Sequence, residues 1–197
     1  MKFNKVAALC KKRKTIVIYN NEESGAQWLG DGMATYLLEG APKMNPEECL
    51  RLLDVPESKQ NDYHCKEMGL PDWLDFSSDT YKDEELKPLA TTIGWLGESY
   101  QLFEDGAKIY CISEAYLAPF SADASYTRYH RRETSSGQFL LGVKIGLGLQ
   151  ALIAPAITFR NEQHREELKK IAEAFLHMAR TDSGEQAEKN TEQQLTL

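Results

Sequence analysis

Short runs of β-branched and aromatic residues, each bounded by turn signals, recur along most of this chain of 197 residues. Runs of this length and composition are typical of strands rather than helices. They lie at 14–20, 26–38, 91–96, 100–103, 108–112, 126–132, 139–145 and 147–157. Within 26–38 the tripeptide Gly30-Asp31-Gly32 predicts a tight turn or bulge, so this run predicts two strands. The last run, 147–157, is apolar enough to predict a buried central strand.

Helical signals are fewer, and they lie before, between and after these strands. Residues 2–12 predict an amphipathic helix, because apolar side chains recur there with helical spacing and lysines occupy the other face. Asn45 predicts the N-cap of a second helix, with Pro46 in its first position and Glu48 three residues after the cap. Asn161 predicts the start of a last helix that ends near residue 180. The fold class predicted is therefore α+β, with antiparallel sheets and packed amphipathic helices.

The chain divides into four parts by composition. Residues 1–55 predict a helix-strand-strand-helix half-module. Residues 56–90 hold nine acidic residues and four lysines without a sustained period, and they predict an acidic irregular connection. Residues 91–180 predict a mixed sheet followed by the C-terminal helix. Residues 181–197 are polar and poor in aromatics, which predicts a disordered tail.

Positive charge is concentrated at the start of the chain. The first fourteen residues hold six basic side chains and no acid, and because the whole chain carries −7, the remaining 183 residues carry −13. A body of that sign repels nucleic acid at long range, while a local basic face can still attract it. Two interpretations stay open, a solvated helix face or a phosphate-binding face. The side chains concerned are Lys2, Lys5, Lys11, Lys12, Arg13 and Lys14.

Residues typical of catalysis or metal binding are scattered. The four cysteines form no CxxC pair and are expected to be free thiols in a reducing cytoplasm. Asp31, between two glycines, has the position of a turn residue whose side chain bonds the local backbone, with a catalytic carboxylate as the alternative. We therefore predict no enzyme activity, cofactor or metal. No apolar run approaches the length of a membrane span, and no secretory signal is expected at the start.

One strand carries a row of cationic side chains. Arg128, His130 and Arg132 share one parity of the predicted strand 126–132, so they are expected on the same side of a sheet. Two interpretations stay open here as well. The row is either an ordinary exposed sheet face beside a hairpin, or an edge that binds an anion or a partner.

The order of elements resembles one module of a DNA sliding clamp, the processivity factor of replicative polymerases. The basic helix at 2–12 and the strand at 14–20 lead it, and QWLGDGMATYLL (27–38) is similar to the clamp strand with an aspartate-glycine pair. PKMNPEECLRLLDV (42–55) is similar to the segment and helix that follow. In the second half, IYCISEAYLAPF (109–120) and LQALIAPAITF (149–159) resemble a strand leading into a short helix and the closing apolar strand. The chain also resembles proteins of Gram-positive phages in general character.

This resemblance implies a ring assembled from several copies, whose inner helices face DNA. It implies that the six basic residues of the leading segment contact phosphates of double-stranded DNA weakly and without sequence preference. It also implies that Leu152 and Pro155 lie near an apolar groove that receives partner peptides. The protein would then be a phage-encoded accessory of DNA replication in the cytoplasm of a bacterial host.

A second function class is an alternative. The acidic excess outside the first helix fits an inhibitor of a host protein, such as an anti-CRISPR or other anti-defence factor, that covers a basic nucleic-acid channel. The partner-binding acids predicted for this role are Asp72, Asp75 and Asp79, in the stretch 56–90.

Overall fold

The predicted α+β class is confirmed by the computed structural model, which describes residues 1–78, 84–95, 97–106 and 108–159. The helices are α1 (Phe3–Arg13), α2 (Pro46–Leu52), α3 (Glu57–Gln60) and α4 (Glu114–Leu117), the last continuing into a 3₁₀ turn (Ala118–Phe120). The strands are β1 (Thr15–Asn20), β2 (Gln27–Gly30), β3 (Ala34–Leu37), β4 (His64–Gly69), β5 (Glu85–Leu86), β6 (Pro88–Trp95), β7 (Glu98–Asp105), β8 (Lys108–Ser113), β9 (Thr127–Glu133), β10 (Phe139–Ile145), β11 (Gly148–Ile153) and β12 (Ile157–Phe159).

The described strands form a large and a small sheet. The large sheet has the order β4-β1-β2-β3-β11-β10-β9-β5, and the small sheet has the order β12-β8-β7-β6. Neighbouring strands run antiparallel except β1 and β4, which are parallel. The turn predicted at Gly30-Asp31-Gly32 joins β2 and β3, and β9 and β10 pair as an antiparallel hairpin.

The main core lies between the two sheets and the helices. Val6 and Cys10 of α1 are fully buried there beside Ile16 and Ile18 of β1. The small sheet contributes the side chains Phe103, Tyr110 and Ile112 to the same cluster. The rings of Tyr110 and Phe139 stack with centroids 3.6 Å apart and thereby join the two sheets. Burial of so many large apolar side chains supplies the main driving force for this arrangement.

Asp31, in the β2–β3 turn, links α1 and α4 to the large sheet. Its side chain is 1% exposed, and Oδ1 accepts hydrogen bonds from the backbone N–H groups of Met33 and Ala34. Oδ2 accepts from the Tyr116 hydroxyl at 2.8 Å and lies 3.3 Å from Arg13 Nε. Burial, followed by the charge of Asp31, raises the pKa of the Tyr116 hydroxyl. Of the two roles predicted for Asp31, the structure shows the turn residue, and adds a connection between α1 and α4.

The predicted irregular connection at 56–90 is wrong for much of its length. It contains α3, the complete strand β4 and the short strand β5, and β6 begins within it. Strand β4 pairs in parallel with β1 from Thr15↔His64 to Asn20↔Gly69. Its sequence HCKEMG has no β-branched residue and no clean alternation of apolar and polar side chains, so local propensity carries no strand signal there. The pairing with β1 decides its conformation.

The predicted strand 147–157 is also corrected. Leu147 is 89% exposed in the turn before β11, and β11 itself has the central place in the large sheet that its apolar sequence predicts. The chain then leaves that sheet near Pro155, and β12 pairs with β8 in the small sheet. Proline interrupts a strand because it lacks the N–H group needed for the ladder. The predicted helix at 161–180 and tail at 181–197 lie outside the described residues.

Within the described part of the chain, no helix has the length and apolar character needed to cross a membrane. All four cysteines are free thiols, as the sequence predicts.

Removing the Asp31 carboxylate should destabilise the fold strongly. Asp31→Ala leaves two backbone N–H groups, the Tyr116 hydroxyl and Arg13 without their acceptor, and we expect a loss of about 3 kcal/mol or more. Asp31→Asn retains an oxygen for the turn and should cost less. Urea unfolding at pH 7 measures both. Asp62→Ala removes the exposed partner of Lys14 and, as a control, should stay within about 0.5 kcal/mol. Wild-type stability of Asp31→Ala would contradict the role given to this residue.

The buried thiols predict a loss of stability in alkali. Burial raises the pKa of Cys10 to about 12 and those of Cys49 and Cys111 to about 11, from 9.0. The unfolded chain therefore loses these protons first, and stability should fall as the pH rises from about 9 toward 12. Urea unfolding across this range measures the effect.

The same burial predicts which thiols react in the folded protein. Because the thiolate is the reactive form, iodoacetamide at pH 8 should label Cys65, which is partly exposed, before the other three. Mass spectrometry of the labelled peptides checks this, with denatured protein, labelled at all four sites, as the control. Fast labelling of Cys10 without urea would contradict the burial described.

Candidate binding surfaces

The exposed face of α1 is basic. Lys5, Lys11 and Lys12 are exposed, with Asn4 and Ala8 between them, and they lie opposite the face that enters the core. Helical spacing produces this arrangement, since residues three, four and seven apart share a face. This part of the predicted basic surface is therefore a continuous strip on one helix.

Half of the six predicted basic residues form ion pairs with acids, although their side chains remain exposed. Lys12 Nζ lies 2.5 Å from Glu98 Oε1, and the hydrogen bond from Lys12 is the main cause that lowers the pKa of the Glu98 carboxyl. Lys14 Nζ lies 3.0 Å from Asp62 Oδ2. Arg13 forms an ion pair with Asp31, so it connects α1 to the β2–β3 turn. These acids are 18 to 86 residues away in the chain, so local sequence patterns do not predict the ion pairs.

The other three basic residues have no ion pair in the part of the chain that the structure describes. Lys2 Nζ donates a hydrogen bond to Ser121 Oγ at 3.3 Å, while Lys5 and Lys11 extend from the exposed side of α1. The positive strip available to a phosphate is thus centred on Lys5 and Lys11, smaller than the sequence predicts.

Residues 70–78, which we call the strap, cover the face of the large sheet opposite to the face on which α1 packs. Its side chains Leu70, Leu74 and Phe76 pack on a second buried cluster of that sheet. The Phe76 ring lies 4.8 Å from the ring of Trp28 and 5.7 Å from that of Tyr19, measured between centroids. These contacts hold an otherwise irregular segment against the sheet.

Two buried cations of the large sheet bind the end of the strap. The Arg132 guanidinium contacts Asp75 Oδ2 at 3.2 Å and donates to the Ser77 carbonyl at 2.9 Å. Lys144 Nζ donates to the Ser78 carbonyl at 2.8 Å. Arg132 is only 5% exposed, and such a cation is costly to bury without oxygen partners. The strap supplies them.

These contacts place the predicted partner-binding acids and the cationic strand. Asp75 is engaged with Arg132, Asp72 is exposed on the strap, and Asp79 lies outside the described residues. In the cationic row, Arg128 pairs with Glu85 at 3.7 Å and Arg132 is buried. Two of the three cations in the row are therefore paired with acids of residues 70–85. The row matches neither the exposed sheet face nor the anion-binding or partner-binding edge completely.

A recess of about 200 Å³ opens between the strap, the start of β3, the end of β11 and the β9–β10 hairpin. Leu152, one of the two predicted groove residues, is 2% exposed and lines it. Pro155, the other, is partly buried and follows the lining residue Ala154. Trp73 of the strap also lines the recess and is 49% exposed. The full set of lining residues is Tyr19, Gly32, Met33, Ala34, Thr35, Trp73, Leu74, Thr134, Gln138, Leu140, Leu152 and Ala154.

Thr35 is the lining residue with a buried polar atom that lacks a partner among the described residues. It is 5% exposed, it lies directly opposite Leu152 in the β3–β11 pair, and its hydroxyl has no hydrogen-bond partner among the described residues. Buried polar atoms are normally paired, and this oxygen has almost no surface open to the recess or to solvent, so it is a local free-energy cost of the fold. Sequence reasoning missed Thr35, because a threonine in a strand is commonplace.

A larger groove of about 670 Å³ lies at another place, between the start of α1, residues 37–44 and α2. Its lining is mostly apolar, including Met1, Phe3 and Leu52, with Glu39 as the charged member. It offers apolar area but few groups that could orient a ligand.

The described residues contain no group of three or more His, Cys, Asp or Glu side chains arranged to hold a metal ion.

Comparison with known proteins finds no match to any family model, any curated protein or any solved structure. The resemblance to sliding clamps therefore stays a prediction from the sequence.

The unpaired hydroxyl of Thr35 predicts an unusual response to substitution. Thr35→Val keeps the shape and removes the unsatisfied polar atom, so stability should be unchanged or rise by up to about 1 kcal/mol. Thr127→Val is the matched control. The Thr127 hydroxyl donates to the Asp123 carbonyl at 2.8 Å, and its loss should cost about 1 to 2 kcal/mol. Thermal and urea unfolding compare the two variants, and equal losses would show that the Thr35 hydroxyl is paired after all.

Proposed function

We propose that this chain is a phage-encoded, sliding-clamp-like accessory protein of DNA replication that acts by binding and not by catalysis. In this proposal α1 faces double-stranded DNA, several copies of the chain assemble around it, and the protein works in the cytoplasm of a bacterial host. The observation that carries the proposal is the exposed strip of α1 on which Lys5 and Lys11 have no ion pair within the described residues.

The electrostatics of the chain support weak binding. A mobile clamp must attract DNA phosphates without binding them tightly. A small number of lysines without ion pairs, on a chain with net negative charge, meets this requirement. The acids beside Lys12 and Lys14 reduce the field of the helix further. Binding of this kind is independent of sequence and decreases steeply with added salt.

Neutralising the free lysines should weaken DNA binding. Lys5→Gln with Lys11→Gln removes two phosphate contacts, so affinity for a random duplex at low salt should fall roughly tenfold and the salt slope should decrease by about 2. Fluorescence anisotropy measures both. Lys43→Gln with Lys108→Gln changes the net charge equally at exposed positions outside α1 and serves as the control. Equal effects of the two double variants, or no DNA binding by the wild type, would refute the proposal.

Light scattering of the native protein tests the assembly. A ring requires a trimer or a larger oligomer, because one module cannot encircle a duplex. A monomer at every concentration would argue against a clamp and in favour of the second candidate.

The second candidate is an inhibitor that binds a host protein. The strap supports it, because it presents the half-exposed indole of Trp73 next to the exposed carboxylate of Asp72. Aromatic residues are enriched at protein interfaces, and acidic groups around them favour a basic partner. Under this reading the acidic surface covers the nucleic-acid channel of an anti-phage nuclease, and Trp73→Ala with Asp72→Lys should abolish inhibition.

A further inference from the structure

The small sheet has buried apolar side chains on both of its faces. Side chains along a strand alternate between the two sides of a sheet, and Phe103, Tyr110 and Ile112 enter the main core. The side chains between them lie on the opposite side, which we call the outer face. It holds a separate buried cluster of Tyr100, Leu102, Ile109 and Cys111, against which the partly buried Leu89, Ile93 and Ile157 pack.

This outer face is buried more deeply than its own sheet explains. Leu102, Ile109 and Cys111 are 2%, 1% and 0% exposed. Side chains on one face of a sheet stand side by side, so their ends stay open to solvent unless a second layer packs on them. Among the described residues, every apolar member of the cluster belongs to the four strands of this sheet. A covering layer must therefore be sought outside the described residues.

The residues after β12 have the position and the length that such a layer needs. Because β12 is an edge strand of the small sheet, the chain leaves that sheet next to its outer face. Residues 160–197 follow, whereas the other ranges outside the description, 79–83, 96 and 107, are too short to cover four strands. A helix over 161–180 measures about 30 Å, and the eight-residue strands β6 and β7 span about 27 Å.

The sequence of residues 161–180 also has the matching chemistry. Its charged residues lie outside an apolar stripe that recurs at helical spacing. A helix with such a stripe must bury it against another apolar surface. The stripe consists of Leu168, Ile171, Ala172, Phe175, Leu176 and Ala179.

We propose that the outer face of the small sheet binds residues 161–180 of the same chain as an amphipathic helix. The apolar stripe packs on the cluster around Leu102, Ile109 and Cys111, and the charged side of the helix faces solvent. The same chain is a better occupant than a second molecule, because the short connection to β12 gives the segment a high effective concentration. This inference goes beyond both proposed functions, since it involves neither α1 nor the strap.

The thiol of Cys111 reports whether the outer face is covered. Ile171→Asp with Phe175→Asp in the full chain should detach the segment, so iodoacetamide at pH 8 should label Cys111 about tenfold faster or more. Uncovering also lowers the pKa of this thiol from about 11 toward its ordinary value, which increases the reactive thiolate. Cys10 and Cys49 lie in the main core and should stay protected. Mass spectrometry of the labelled peptides measures all three rates.

A matched variant controls for the added charge. Ala174→Asp with His177→Asp introduces the same two acids on the side of the predicted helix opposite the stripe. We expect Cys111 to stay as protected in this variant as in the wild type. Equal labelling of Cys111 in the two variants, or unchanged labelling in the variant of the stripe, would overturn the inference.

Two further measurements separate the remaining outcomes. Protection of Cys111 that the wild type loses on dilution would assign the outer face to a second copy of the chain and overturn the proposal. If the acidic variant of the stripe exposes Cys10, Cys49 and Cys111 together, the whole fold has opened, and Ile171→Ala with Phe175→Ala is measured instead. Selective labelling of Cys111 in that milder variant would support the proposal, and any other pattern would refute it.

Discussion

The buried carboxylate of Asp31 is the interaction on which the positions of α1 and α4 depend. It is held by two backbone N–H groups of its own turn, by the Tyr116 hydroxyl and by Arg13. Burying a carboxylate this deeply costs free energy that these donors offset. The turn, α1 and α4 are therefore fixed relative to one another. The orientation of α1 decides in turn that Lys5 and Lys11 face outward.

On the face of the large sheet that the strap covers, buried charged groups are again held by hydrogen-bonding partners, but here the buried charges are positive. Arg132 and Lys144 are buried cations, and the strap meets them with a carboxylate and two backbone carbonyls. This explains why a segment with little regular structure of its own lies closely on the sheet. The recess beside Thr35 exists because the strap covers part of that sheet face and leaves the neighbouring part open. Ion pairing thus shapes a cavity whose own walls are mostly apolar.

Charge segregation in this chain is weaker in three dimensions than along the sequence. Six basic residues open the chain, yet three of them meet acids from distant segments, among them Glu98 and Asp62. The remaining positive strip is short. In the proposed DNA-binding role this reduction would be an advantage, since each additional phosphate contact steepens the salt dependence and lengthens the residence time.

The sequence by itself determined the elements that depend on neighbours in the chain. The period of α1, the capping box of Asn45 and Glu48, and the β2–β3 turn at Asp31 are local features, and all of them appear in the structure. Tertiary structure alone decided the strand β4, the acids that pair with α1, and the unpaired hydroxyl of Thr35. The reason is the range of the interactions. Helix periods, caps and turns are set within a few residues, whereas strand partners and buried ion pairs form only after distant segments have been brought together by burial of the core.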